Sequence, residues 1–214
     1  EMAPVPENTT FDPVRARLFR LSFVRRGARA SRVALAEVAL SGGPRLRGWA
    51  QKSGYIRQND FAPDAASYDG ALCIPHEGVL DLTGKLAEDG TLDWEVPAGD
   101  WTILRLGSTT TGKENHPATA ESRGLECDKL SREAVDVLFD GVLAKVMADI
   151  GPLAGKGLHQ LLVDSYEVGS QNWTPKLPEE FRKRRGYDMA PFLPAMTGRI
   201  VDSTEVTERF LWDL

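Results

Sequence analysis

Cysteine, histidine and long apolar runs are all scarce in this chain, and each scarcity removes a class of protein. Only two cysteines, Cys73 and Cys127, occur in 214 residues. They form no Cys-x-x-Cys pair, and the three histidines, His76, His116 and His159, do not stand at ligand spacing. A disulfide-stapled miniature fold is thereby excluded and a structural zinc site disfavoured. A catalytic thiol would need a base close by, and those three histidines are the whole supply. No apolar run approaches the roughly 18 residues of a membrane-spanning helix. Residues 1–6, Glu-Met-Ala-Pro-Val-Pro, have neither a basic region nor an apolar core and do not read as a signal peptide. Positive charge is also short: 26 basic against 31 acidic residues give a net charge of −5, which argues against sequence-independent nucleic-acid binding. What is present is ordinary for a globular chain, with 42% hydrophobic and 27% charged residues.

The apolar pattern divides the chain near residue 100. Up to Leu106 the signals are short and β-like. Phe19, Leu21 and Phe23 alternate with Arg20 and Ser22, and Val33, Leu35, Val38 and Leu40 make a second run before the turn-forming Ser41-Gly42-Gly43-Pro44. Val79–Leu82 and Leu92–Val96 alternate on either side of Asp89-Gly90, a tight-turn dipeptide. Trp101–Leu106 reads as one more strand, with Trp94 and Trp101 expected in a core. Beyond that point the period becomes helical. Ser131 is a suitable N-cap for a helix carrying Val135, Leu138, Phe139, Val142, Leu143, Val146 and Ile150, and Gly151-Pro152 ends it. Leu158–Val163 predicts a buried parallel strand. A second helix is expected over Pro178–Arg185, with acids at its start, bases at its end and Gly186 as stop. Asp202-x-x-Glu205 resembles a capping box opening a third helix. Strand, helix, strand, helix is the order of βα units.

Three stretches carry chemistry. The apolar run ending in Asp164-Ser165-Tyr166-Glu167 places two carboxylates and a phenol where a parallel strand should finish, which in a (β/α) barrel is the catalytic face. Such a carboxylate can serve as acid, base or metal ligand; a loop cap at Asp164 and a solvated Glu167 are the plainer alternative. Thr109–Pro117 gathers hydroxyls, the Asn115 amide and the His116 imidazole in one loop suited to a polyhydroxylated ligand. It lacks phosphate-loop glycine spacing, and a simple polar turn is the competing reading. Glu121–Lys129 packs opposite charges ahead of a helix; Asp128 and Glu126 there complement the helix dipole in the commoner reading, and Glu126 is a weaker catalytic or metal candidate than Glu167. Trp173, just after Glu167, is the tryptophan expected to line a pocket and stack on a sugar.

Taken in order, Trp101–Arg105 with Thr110-Thr111-Gly112 and Asn115, Gly124–Lys129, Asp164–Thr174, Arg184–Asp188, Thr197–Arg199 and Glu208–Asp213 resemble glycoside hydrolase family 106, the α-L-rhamnosidases. The resemblance spans about residues 95–214; Val33–Leu40 is only weakly similar to a carbohydrate-binding strand. It implies an α/β plus all-β chain: a β-sandwich-like, carbohydrate-binding-like segment over 1–100, then a partial (β/α)8 TIM-type barrel over 101–214. It further implies inverting hydrolysis of terminal α-L-rhamnosyl linkages in plant or microbial oligo- or polysaccharides, assistance from calcium, and a periplasmic or secreted location. Glu167 best matches a family active-site carboxylate, with Glu126 second and Asp164, Asn115, Tyr166 and Trp173 as substrate-binding candidates; the calcium ligands stay unassigned.

A full barrel takes about 250 residues, so residues 101–214 suffice for only three or four βα units. We therefore expect an internal piece of a larger hydrolase, inactive and unstable alone, with the remainder of the parent chain as partner and at least one essential carboxylate downstream of Leu214. A non-catalytic carbohydrate-binding module and a structural domain of a larger enzyme are the competing readings.

Overall fold

The computed structural model describes residues 11, 14–22, 37–56, 64, 66–162 and 169–214. Its packed part is built mainly from the C-terminal stretch, where helix signals are strongest. Helix α1 is a single turn, Trp49–Lys52. Helix α2, Arg132–Leu138, begins at Ser131, whose hydroxyl accepts the Ala134 N–H at 3.3 Å. A π-helical segment, Phe139–Leu143, continues it into α3, Ala144–Ile150. Helix α4 covers Leu177–Arg185: Pro178 suits its first turn, Glu179 and Glu180 face the positive end, and Gly186 closes it in the left-handed conformation. A 3₁₀ helix, Ala190–Thr197, precedes α5, Thr204–Asp213.

One face of α5 explains the core. Thr204, Thr207, Phe210 and Leu211 recur at helical spacing and are all buried. They meet Phe181 from α4, Met189, Ala195 and Met196 from the 3₁₀ region, Ile200, Val201 and, from far upstream, Leu46. Aromatic rings link these elements: Phe181 lies 5.8 Å from Phe210 and Phe192 stacks on Phe210 at 5.6 Å. Backbone bonds tie the upstream segments on, with Leu46 N–H donating to Gly198 O at 2.7 Å and Ile74 N–H to Ile200 O at 2.9 Å.

The β architecture read from the sequence is not what forms. Among the described residues there is no β-strand, only isolated bridges such as Arg45 with Arg199, Ile74 with Val201 and Leu86 with Leu92. The described fold is helical and irregular, which overturns both the partial (β/α)8 barrel and the β-sandwich. The reason is physical: alternation marks a chain with two unlike faces, but a strand exists only where a second backbone supplies its N–H and C=O partners. Trp101–Leu106 makes no bridge, and Ile103 is 62% exposed. Trp101, expected in a core, is exposed and packs edge-on against the half-buried Trp94 at 5.4 Å. Leu161 and Leu162, expected inside a parallel strand, are also exposed. At 86–92 the expected turn does form, with Ala87 N–H donating to Thr91 O at 2.8 Å, but pairing ends almost at once. Phe23, Val33, Leu35 and Val163 lie outside the described residues.

The third helix starts one residue later than its capping-box reading. Ser203, not Asp202, is the cap, its hydroxyl accepting the Val206 N–H at 3.1 Å. Asp202 instead turns to His76: its carboxylate accepts the His76 backbone N–H at 2.9 Å and bonds Nδ1 at 2.8 Å.

Candidate active site

Two loops that are distant in sequence meet in space. The first is a short hairpin-like loop over residues 113–126. Asn115 N–H donates to Gly124 O, Glu126 N–H donates to Lys113 O, both at 2.9 Å, and Glu114 bridges Leu125. The Asn115 side chain closes the loop from inside: its Oδ1 accepts Gly124 N–H at 2.8 Å and its Nδ2 donates to Ser122 O at 3.1 Å. The second loop is residues 169–176, leading into α4. Gly169 sits at φ 76°, and a Cβ there would lie 3.1 Å from Lys113 Cε, so the two loops touch at this point.

Asp128 makes the main polar junction. One carboxylate oxygen accepts the Leu130 backbone N–H at 2.9 Å and the Gln171 side-chain amide; the other accepts the Thr174 hydroxyl at 2.8 Å. Thr174 is buried, at 5% exposure, whereas Asp128 and Gln171 are half-buried. Asn172 faces the opposite way and donates to Ser53 O at 2.8 Å. The 169–176 loop is thus held from two sides. Glu133, in the first turn of α2, pairs with Lys176, and this lysine with the local backbone pulls its carboxyl down to about 2.

Of the residues singled out from the sequence, Asn115, Glu126 and Trp173 are described, and these belong to the two loops. Glu126 is half-buried and paired with Lys129 at 3.1 Å. Trp173 is half-buried and packs against the core cluster around Phe181. Asp164, Tyr166 and Glu167 lie outside the described residues. A cleft of about 300 Å³ opens beside the junction, lined by Leu130, Thr174, Lys176, Phe181 and Asp213 among others. Asn115, Glu126 and Trp173 do not line it.

The sequence reading missed Asp128. A carboxylate ahead of a helix start reads as complementing the dipole, and its side-chain partners, 43 and 46 residues further on, leave no local trace. The Asp164–Thr174 motif did contain those partners, so motif co-occurrence was the available signal.

Calcium would require several free oxygens. Asp128 already accepts three donors, the Asn115 amide is engaged at both ends and Glu126 is paired, so these described oxygens do not form a ready calcium cage. His76, Glu77 and Asp202 bring ligand atoms within 4.8 Å of one another. That set includes an imidazole already bonded to Asp202, a poor match for a hard cation.

The glycoside hydrolase family 106 model, described as alpha-L-rhamnosidase, matches residues 7–214. A curated protein of Formosa agariphila named "Putative beta-glucuronidase" is 45% identical over 161 residues, which is 75% of this chain and 14% of that protein. The solved structure of the rhamnosidase from Novosphingobium sp. PP1Y superposes with a TM-score of 0.65 at 35% identity, over 82% of this chain and 17% of that one. The chain therefore spans only about a seventh to a sixth of the length of these relatives. Among the described residues no helix is long and apolar enough to cross a membrane.

Proposed function

The chain belongs to the alpha-L-rhamnosidase family, glycoside hydrolase family 106, and from that membership we propose that it supplies part of the active site of an enzyme hydrolysing terminal α-L-rhamnosyl groups of oligo- or polysaccharides. The observation that carries this reading is the meeting of one family-like motif, Gly124–Lys129, with the described end, residues 169–174, of another, Asp164–Thr174, through the Asp128 junction. Glu167 is the leading active-site carboxylate, with Glu126 as the second candidate and Asp164, Asn115, Tyr166 and Trp173 around the sugar. Asn115 would act through the loop it closes rather than through a free amide.

The proposed chemistry is inversion. One carboxylic acid protonates the glycosidic oxygen as the bond to the anomeric carbon breaks, while a carboxylate removes a proton from the attacking water on the opposite face. That geometry needs the two carboxyls roughly 6.5–9.5 Å apart, leaving room for the water. Calcium is proposed for the parent enzyme on family grounds alone, and no step is derived through it; activity that survives exhaustive chelation removes it. The family also supports a periplasmic or secreted location, checked by fractionating the native host.

A second reading has one specific support, the glucuronidase name of the Formosa relative. A uronic acid brings a carboxylate that calls for a cationic partner in the site. Lys129 and Lys176, two cations beside the junction, are already paired with Glu126 and Glu133; the family model is what favours the rhamnoside. The test is the full-length parent enzyme on aryl α-L-rhamnoside and aryl β-D-glucuronide, with the anomer of the first-formed product followed by NMR. We expect turnover of the rhamnoside with an inverted product. Turnover of the glucuronide alone would overturn the substrate assignment, and a retained product would overturn the mechanism.

A further inference from the structure

Asp128 ties the 169–176 loop to the stretch that follows the 113–126 loop, and its position suggests more than local packing. Its carboxylate receives one donor from the stretch that follows the first loop, at Leu130, and two from the second loop, at Gln171 and Thr174. Gln171 and Thr174 bracket Trp173, so the residue that holds both also fixes the backbone from which Trp173 projects. The same short stretch, Glu126–Lys129, carries Glu126, whose backbone N–H is pinned to Lys113 O at 2.9 Å. A displacement of Asp128 therefore shifts Trp173 relative to Glu126 and Asn115. An ionised acceptor gives the strongest and shortest of the common hydrogen bonds, which suits a junction meant to hold a fixed geometry.

We propose that Asp128 is a positioning residue for sugar binding: it locks the 169–176 loop against the 127–130 stretch that directly follows Glu126, and so sets the separation of Trp173 from Glu126. It touches no reacting atom. The inference rests on the proposed active-site reading for its functional consequence, but its structural part stands apart from the identity of the substrate.

The test uses the full-length parent enzyme in four forms: wild type, Asp128→Ala, Asp128→Asn and Thr174→Val, with the Asp128→Ala/Thr174→Val double variant completing a cycle. The first readout is hydrogen exchange across residues 169–174, which needs no substrate. Faster exchange there in Asp128→Ala and Thr174→Val supports the proposal; wild-type exchange in both overturns it. The second readout is the separation of kcat and KM on whichever aryl glycoside the wild type hydrolyses. Loss of a positioning contact lowers kcat/KM by up to roughly a hundredfold. Most of that loss should fall in KM, because the affected group contacts the sugar. Asp128→Asn keeps an acceptor oxygen, and the Thr174 hydroxyl can rotate to accept in turn, so this variant should recover most of the loss. The double variant should be no worse than Asp128→Ala, since both changes break one junction. A fall in melting temperature with wild-type kcat and KM in the folded fraction would make Asp128 purely structural and overturn the proposal. Should Asp128→Ala fail to fold, Thr174→Val carries the same two readouts. A parent that hydrolyses only the glucuronide would sink the rhamnosidase reading while leaving this test intact.

Discussion

At Gly198 the fold leaves no room for a side chain. Its φ of 79° is left-handed, and a Cβ would stand 2.6 Å from Cδ1 of Trp49. Trp49 belongs to the α1 turn that packs on the 3₁₀ helix ending at Gly198, and Leu46 N–H bonds the Gly198 carbonyl. Gly198→Ala should therefore destabilise the chain by about 2–4 kcal/mol, combining backbone strain with overpacking. Chemical denaturation of the full-length protein measures this, and a change under 0.5 kcal/mol, the usual scatter of neutral surface changes, would contradict it. Thr207 is a second such position. Fully buried, its hydroxyl accepts Val201 N–H at 2.8 Å and lies within bonding distance of Val201 O and Ser203 O, at 3.0 and 2.8 Å. Thr207→Val keeps the shape and strands a buried N–H, for a loss of about 1–3 kcal/mol. Thr207→Ser, which keeps the hydroxyl, should fall between the two. Nothing in local sequence distinguishes this threonine from Thr204, because the carbonyls that engage it lie outside its helix.

Between elements, the ion pair of Glu133 with Lys176 joins the start of α2 to the start of α4. Because the lysine holds the folded-state carboxyl near 2, against an ordinary value of 4.5, the sign of the linkage is fixed. The pair's contribution is fully present above about 4.5 and is lost as pH falls toward about 2. Both groups are exposed, so the effect is small and salt screens it. Comparing wild type with Glu133→Gln by amide exchange in residues 132–138 should show a difference at pH 6 that shrinks across the acid range and in high salt. A difference that grows on acidification would contradict the pairing. The ends of α4 were legible in the sequence because each signal is local: Pro178, the two glutamates, the basic run and Gly186 all act on the helix that contains them. Ser131 was legible for the same reason. The start of α5 was misread by one residue because Asp202, an excellent cap by type, is engaged by His76, which sits 126 residues upstream.

For the molecule as a whole, stability is concentrated rather than spread. The buried residues cluster around α4, the 3₁₀ helix and α5, with Leu46 and Ala50 added from upstream. The α2–α3 stretch buries none of its side chains: Val137 is 73% exposed, and Leu138, Phe139, Val142 and Val146 are exposed as well. Amide protection should follow this division. In the isolated 214-residue chain, whose overall stability is expected to be low, the slowest exchange is expected in α5 and around Ile200–Val201, and the fastest in residues 132–150. Equal protection of the two regions would contradict the core as described. The same contrast explains the failed architecture. Alternating residues at 18–22 and 101–106 announce a face to be covered, but pairing and covering are non-local, and among the described residues neither segment gains a partner strand. The motifs of the candidate site were legible in order and type, whereas the contact that unites them, through Asp128, was not.

The proposed role of Glu167 as a working carboxylate of a rhamnoside-cleaving site is open to one decisive measurement. It is steady-state hydrolysis of an aryl α-L-rhamnoside by the full-length enzyme and its Glu167→Gln form, with rhamnose binding measured in parallel. Removing a general acid or base should lower kcat by about 10²–10⁴-fold while rhamnose still binds. Undiminished turnover in Glu167→Gln would contradict that role.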